Sequence, residues 1–166
     1  LEVGLRMIFN IEQQISKYLR GQILAASSVA ILSIIGLFIL NQFNANITLI
    51  VFIGIIAGLA NLIPMVGPFF GMIPAILISL MNNIGNESAF LHQLFGIIPS
   101  PFYILDIVLM FILVQQIDNN FITPIVVGES VGLHPMAVMI VLLIGGTIIG
   151  PLGMLFAIPT AGVLKV

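Results

Sequence analysis

The sequence predicts an all-α, polytopic transmembrane protein whose apolar helices are broken, or turned back on themselves, by glycine and proline. Of its 166 residues 60% are hydrophobic and 6% charged, with a mean hydropathy of +1.29. That leaves too little polar surface to keep a soluble domain of this size in water. Gly21 to Asn86 contains no Asp, Glu, Lys or Arg, enough for more than two crossings at about 20 residues each. Two stretches, NLIPMVGPFFGMIPAILISL from Asn61 and GGTIIGPLGMLFAIPTAGVLKV from Gly145, each place Gly-Pro ahead of a second glycine and a further proline. Proline removes a backbone donor and crowds the preceding turn, so carbonyls near Pro64, Pro68, Pro74, Pro151 and Pro159 need partners that lipid cannot supply. These segments are expected not to run as uninterrupted helices.

The elements follow in order. Leu1, Leu5, Ile8, Ile15 and Leu19 recur at helical spacing with Arg6, Gln13, Lys17 and Arg20 elsewhere. Residues 1–20 therefore read as an amphipathic helix, lying on the membrane surface or packed on a part of the protein outside this chain. Residues 21–166 form the transmembrane region. Its first span runs from about Gly21 to Leu40 and ends in the polar connection Asn41–Asn46; a second helix covers Ile47 to Ile63. Pro64 to Met81 is a third crossing or a re-entrant element. Asn82 to Gly96 is a polar loop carrying Glu87 and His92. Ser100-Pro101 is an N-cap followed by proline at the first helical position, opening a helix that continues to Ile117 and is closed by Asp118-Asn119-Asn120. An irregular connection from Phe121 to His134 leads to a hairpin, Pro135 to Val166, around Gly150-Pro151.

Arg6, Lys17 and Arg20 precede the first span and Lys165 follows the last. The positive-inside rule puts both groups in the cytoplasm and requires an even number of crossings between them. Six crossings satisfy this, as do four with a re-entrant loop. The chain begins at Leu1, and its first 20 residues are too charged for a signal peptide; it is expected to be a piece of a longer polypeptide.

Paired helix breaks in comparable positions point to a transport site near the membrane midplane. Gly67, Pro68, Gly71, Gly150, Pro151 and Gly153 are its candidates, against the alternative that these glycines only let helices approach, the reading preferred for Gly54/Gly58. Asp106 is an intramembrane carboxylate and so a candidate ion or proton site, although it lies only about 8 Å into its helix. Gln115, Gln116, Asp118, Asn119 and Asn120 form a polar cluster suited to a hydroxylated solute or hydrated cation, or a solvated helix end. At 100° per residue Asp106 and Gln115 face opposite ways.

Other chemistries lack their residues. There is no cysteine, the net charge of −2 gives no basic stripe for nucleic acid, and His92 and His134 are isolated from metal-ligand partners. No phosphate-binding loop and no Ser/His/Asp signature is present, so the chain reads as no enzyme, with no cofactor, no metal and no catalytic residue. Transport would be driven by a gradient.

The blocks NLIPMVGPFFGMIPA, VQQIDNNFITPIVVGESVGLHP and IGPLGMLFAIPTAGVLKV, in this order and spacing, resemble the AI-2E family of autoinducer-2 exporter-like permeases over nearly the whole chain. The resemblance implies the C-terminal half of a multi-pass protein of the bacterial cytoplasmic (inner) membrane and a homo-oligomer. It further implies export of the quorum-sensing signal autoinducer-2, or alternatively Na+(Li+)/H+ antiport, with Na+ or H+ as the coupled ion. A non-transporting membrane scaffold is the third reading. By resemblance the family's motif blocks map onto Pro64, Gly67, Pro68, Gly71 and Pro74, onto Gln116, Asp118 and Pro124, and onto Gly150, Pro151, Gly153 and Pro159, all but Pro124 being pathway candidates. Met65 departs from the aromatic residue common in the family.

Overall fold

The computed structural model describes residues 2–63, 67–128 and 134–164. Pro64 and Met65, the end of the Phe121–His134 connection and Lys165 lie outside the described residues. The elements are α1 (Glu2–Gln42), α2 (Ile50–Ala60), α3 (Gly67–Asn83), α4 (Glu87–Phe90), the strands β1 (Gln93–Leu94) and β2 (Ile98–Pro99), then α5 (Ile104–Ile117), α6 (Pro135–Ile149) and α7 (Pro151–Leu164). Among the described residues two helical segments are long and apolar enough to cross a membrane, Ile15–Gln42 and Pro101–Val126. α2, α3, α6 and α7 have 11, 17, 15 and 14 residues, which is about 16 to 26 Å at 1.5 Å per residue against a hydrocarbon core of about 30 Å.

The chain divides into two units. One holds Ala26–Asn61 and Met65–Ile117; the other holds Leu1–Ala25, Leu62–Pro64 and Asp118–Val166. α1 contributes to both. It runs unbroken from Glu2, so the boundary expected near Arg20 coincides with no interruption of the helix.

In the first unit, α1, α2, α3 and α5 are drawn together by glycine. A Cβ on Gly54 would meet Ile34 at 2.3 Å and the Ala30 carbonyl at 3.0 Å; one on Gly58 would meet the Ala26 carbonyl at 2.6 Å. α2 thus lies on α1 through a four-residue glycine repeat facing small residues, the contact that compensates for the lack of a hydrophobic drive between helices in lipid. Gly36 of α1 makes the same room for Met110 of α5. The core so enclosed includes Leu37, Ile47, Ile53, Ala57, Ala75, Ile107 and Phe111.

The turn from α1 to α2 is held by polar side chains. Asn41 brackets Ile47, accepting from its backbone N–H at 2.7 Å and donating to its carbonyl at 3.1 Å. Asn83 of α3 donates to the Ala45 carbonyl at 3.0 Å, and Ser79 Oγ lies 3.1 Å from the same oxygen. These bonds offset positive φ at Asn44, Asn46 and Leu49, a region costing an L-residue about 1–2 kcal/mol.

The second unit contains a helical hairpin. α6 and α7 are joined by Gly150 alone, at φ 69° and ψ −145°, a conformation essentially confined to glycine. Behind this turn a Cβ on Gly145 would meet the Gly153 carbonyl at 2.5 Å and Ala157 at 2.7 Å, so the two helices touch backbone to backbone.

Two proline expectations are corrected. α3 continues through Pro74 and α7 through Pro159, with no break at either. Each proline removes one hydrogen bond, and the rest of its ladder, with an adjoining helix, is enough to keep the helix continuous. The interruptions fall instead between Ala60 and Gly67 and at Gly150, placing Pro68 and Pro151 in first turns, where a missing N–H costs nothing.

Candidate functional site

The loop ahead of α5 brings together residues that the sequence left apart. Ser100, fully buried, donates from Oγ to Asp106 Oδ2 at 2.5 Å and accepts at Oγ from the Leu105 N–H at 3.2 Å. His92 Nε2 lies 3.4 Å from Asp106 Oδ1, and its ring stacks on Tyr103 with centroids 4.1 Å apart. The short ribbon of β1 and β2, pairing Gln93 with Pro99 and Leu94 with Ile98, folds His92 back to this position. A further bond from the Ser100 N–H to the His92 carbonyl, 2.9 Å, fixes the closure.

Asp106 is thereby occupied in capping. Its carboxylate sits in the first turn of α5, where the helix dipole favours it, and its two oxygens face a hydroxyl and an imidazole. The contact order also excludes a nucleophilic triad: the Ser100 hydroxyl is bonded to the carboxylate, whereas activation needs hydroxyl against imidazole and imidazole against carboxylate. Ser100→Ala removes the cap and one partner of Asp106, and is expected to cost about 1 kcal/mol. Thermal unfolding of the detergent-solubilised protein measures this.

Asp118 is placed differently from its expectation. The helix does not end at Asp118-Asn119-Asn120. It continues with π-helical turns at Asp118–Ile122 and Pro124–Gly128, within the 26-residue segment of membrane-crossing length. Pro124 explains the widening, since it cannot donate to the carbonyl four residues back and its ring displaces that turn. Insertions of this kind concentrate at functional sites. Asp118 is 1% exposed and accepts from Thr123 Oγ1 at 3.2 Å, a partner five residues on, in the π-helical register. It lies eight residues from the segment's end at Val126, against five between Asp106 and its start at Pro101. Acidic side chains inside membrane helices are costly to insert, and such residues mark ion and substrate pathways.

The other candidates fall into separate settings. Pro68 and Gln116 line one narrow cleft of about 80 Å³ between α3 and α5, with Phe69, Met72, Phe111, Ile112 and Gln115. Gly67 and Gly71 are in helix contacts: a Cβ on Gly67 would meet Asn61 Cβ at 2.5 Å and the Ala57 carbonyl at 2.6 Å, and one on Gly71 would meet Ala57 Cβ and Phe111 Cε1, both at 2.7 Å. Gly150 forms the hairpin turn, with open space where its Cβ would stand, and Gly153 the close approach behind it. Pro151 and Pro159 lie along α7, and Pro74 is half-buried in α3. Pro64 lies outside the described residues. His134 caps α6, its Nδ1 accepting from the Met136 N–H at 3.3 Å.

A chain that is helical apart from one two-stranded ribbon, with membrane-length apolar helices, glycine-packed short helices and a carboxylate buried within one span, has the architecture of an integral membrane protein. The chain belongs to the AI-2E family: the family model described as "AI-2E family transporter" matches residues 2–166. It is 29% identical over 162 residues to the Bacillus subtilis (strain 168) protein named "Putative transport protein YueF", covering 98% of this chain and 38% of that protein. It is also 29% identical over 163 residues to "Putative transport protein YrrI" of the same organism, covering 98% and 40%. With "Putative transport protein YhhT" of Escherichia coli (strain K12) it shares 28% identity over 112 residues, 68% of this chain and 28% of that protein. The chain thus spans about two fifths of the length of the Bacillus relatives it matches. No solved structure is significantly similar to it.

Proposed function

We propose that this chain is the pathway-forming part of a permease that moves a small polar solute down a gradient by alternating access, an autoinducer-2-like hydroxylated signal being the solute class. The observation that carries this reading is the Asp118 carboxylate, buried at a π-helical turn inside a membrane-length helix. A carboxylate accepts only, and a hydroxylated solute donates, so the two are chemically matched; Gln116, Asn119 and Asn120, close in sequence, add amide donors and acceptors. Membership of a transporter family, with relatives carrying transport names, supports the same class of activity.

The helix lengths favour a topology with two full crossings and two re-entrant hairpins, α2–α3 and α6–α7. This keeps the crossing number even and puts Arg6, Lys17, Arg20 and Lys165 on one face, the cytoplasmic one. The membrane is the bacterial inner membrane, with the part of α1 ahead of Ile15 extending from the span on its cytoplasmic side, and the protein is a homo-oligomer.

The test is efflux of labelled autoinducer-2 from proteoliposomes containing the full-length protein. Protein-dependent efflux above that of empty liposomes is the expected result; its absence from a correctly assembled protein favours the scaffold. A second reading, Na+(Li+)/H+ antiport, draws on the same buried carboxylate as a titrating group. Sodium-dependent dissipation of a pH gradient without solute efflux would select it. Asp106→Asn is expected to leave either activity and its pH dependence unchanged, since Asp106 is held by Ser100 and His92.

A further inference from the structure

The segment between α3 and α5 exposes an unusual set of side chains. Ile84, Phe90, Leu91, Phe95 and Ile97 all project from it, Phe95 being 86% and Ile97 80% exposed. The segment is nevertheless pinned. Ala89 and Ser100 are fully buried, Ser79 Oγ donates to the Phe102 carbonyl at 2.9 Å, and the Phe90 ring meets Phe102 edge-on at 5.9 Å. The ribbon of β1 and β2 therefore holds its tip, Phe95 to Ile97, in a fixed place just beyond the helix ends. Phe95 adopts φ 53° there and Gly96 φ 71°. A phenylalanine in the left-handed region is strained, so an apolar ring is kept at the tip against local conformational preference.

Two observations say what covers this tip. Exposed Phe69, Ile73, Leu77 and Met81 of α3 recur every four residues, forming one apolar stripe along the helix that runs on through Ile84 into the segment. In a membrane protein such a stripe faces acyl chains, and the tip continues it. Both ends of the segment also enter apolar helices, which tethers it at the bilayer surface. Residues 84–100 carry Glu87 and neither Lys nor Arg, so anionic headgroups offer no attraction and apolar burial is the available drive.

We propose that the β1–β2 ribbon is an interfacial anchor, with Phe95 and Ile97 inserted into the headgroup–acyl boundary of the surrounding leaflet. Insertion of this kind reaches about 5–10 Å below the headgroups. It fixes the height in the bilayer of the Ser100–Asp106 cap that opens α5. The inference rests on the chain's membrane insertion alone, independent of which solute or ion is moved.

The test uses the full-length protein bearing Phe95→Cys, Ile97→Cys or Glu87→Cys, each carrying a nitroxide, in phosphatidylcholine vesicles with and without phosphatidylglycerol. Collisions with dissolved oxygen, which partitions into lipid, are compared with those of a water-soluble nickel chelate. At positions 95 and 97 oxygen is expected to dominate, at position 87 nickel, with no change on adding phosphatidylglycerol. Nickel dominance at 95 and 97 overturns the proposal. So does shielding from both reagents, which would mean that a second copy or another part of the protein covers the tip. Insertion that depends on phosphatidylglycerol overturns its apolar basis.

Discussion

Gly71→Leu leaves no correctly assembled protein in the membrane. A Cβ at this position falls 2.7 Å from Ala57 Cβ and 2.7 Å from Phe111 Cε1, and neither neighbour has space to yield: Ala57 is fully buried and Phe111 1% exposed. Leucine adds three further carbons beyond that Cβ, so the penalty exceeds the roughly 1–3 kcal/mol usual for an overfilled core. α3 must separate from α2 and α5, and the core of that unit opens. Size-exclusion chromatography after detergent extraction reads the result as loss of the native peak. Gly150→Ala provides the contrast. Nothing lies within 4 Å of its Cβ, so its effect is confined to backbone strain at φ 69°, ψ −145°, about 1–3 kcal/mol, and assembly is retained. A native peak for Gly71→Leu would show that α2, α3 and α5 do not meet at Gly71.

Asp118→Asn is expected to abolish most transport while leaving the folded protein at least as stable. Replacing a buried carboxylate with a neutral group of the same shape removes a desolvation cost, so thermal unfolding should not shift downward. A charge-assisted hydrogen bond to the solute is worth about 1.5–3 kcal/mol, and its loss corresponds to roughly a 10- to 100-fold fall in flux per assembled protein. If Asp118 is instead structural, stability falls and flux per assembled protein is unchanged. Under the antiport reading the same substitution removes the titrating group and ends ion exchange altogether.

The membrane class and the helical hairpin around Gly150-Pro151 were legible because long uncharged runs and a Gly-Pro pair leave a chain few alternatives. What escaped the sequence was decided by contacts and by helix register. Pro74 and Pro159 read as breaks because a proline removes a hydrogen bond, yet a helix supported by a neighbour continues past one. Asp118-Asn119-Asn120 read as a helix end because three polar residues commonly mark one; the π-helical turns place them within the helix, and the only local signal was Pro124 a few residues later. His92 and Asp106 are 14 residues apart, separated by strands of two residues, too short for any alternation to announce the fold-back. Ser100 was legible as an N-cap position, but its hydroxyl makes no cap bond to the turn Pro101–Tyr103 and instead occupies Asp106 and accepts from the Leu105 N–H.

The account turns on whether the Asp118 turn faces water. Thr123→Cys in the full-length protein tests this most directly: it leaves the carboxylate in place, replaces the hydroxyl that contacts it, and introduces a thiol into a region that contains none. With other cysteines of the protein removed, a membrane-impermeant methanethiosulfonate reagent is applied in turn to each side of reconstituted vesicles. Alternating access predicts labelling from both sides, slowed by the transported solute. A thiol that reacts from neither side, in a protein that still assembles, would contradict a pathway at Asp118.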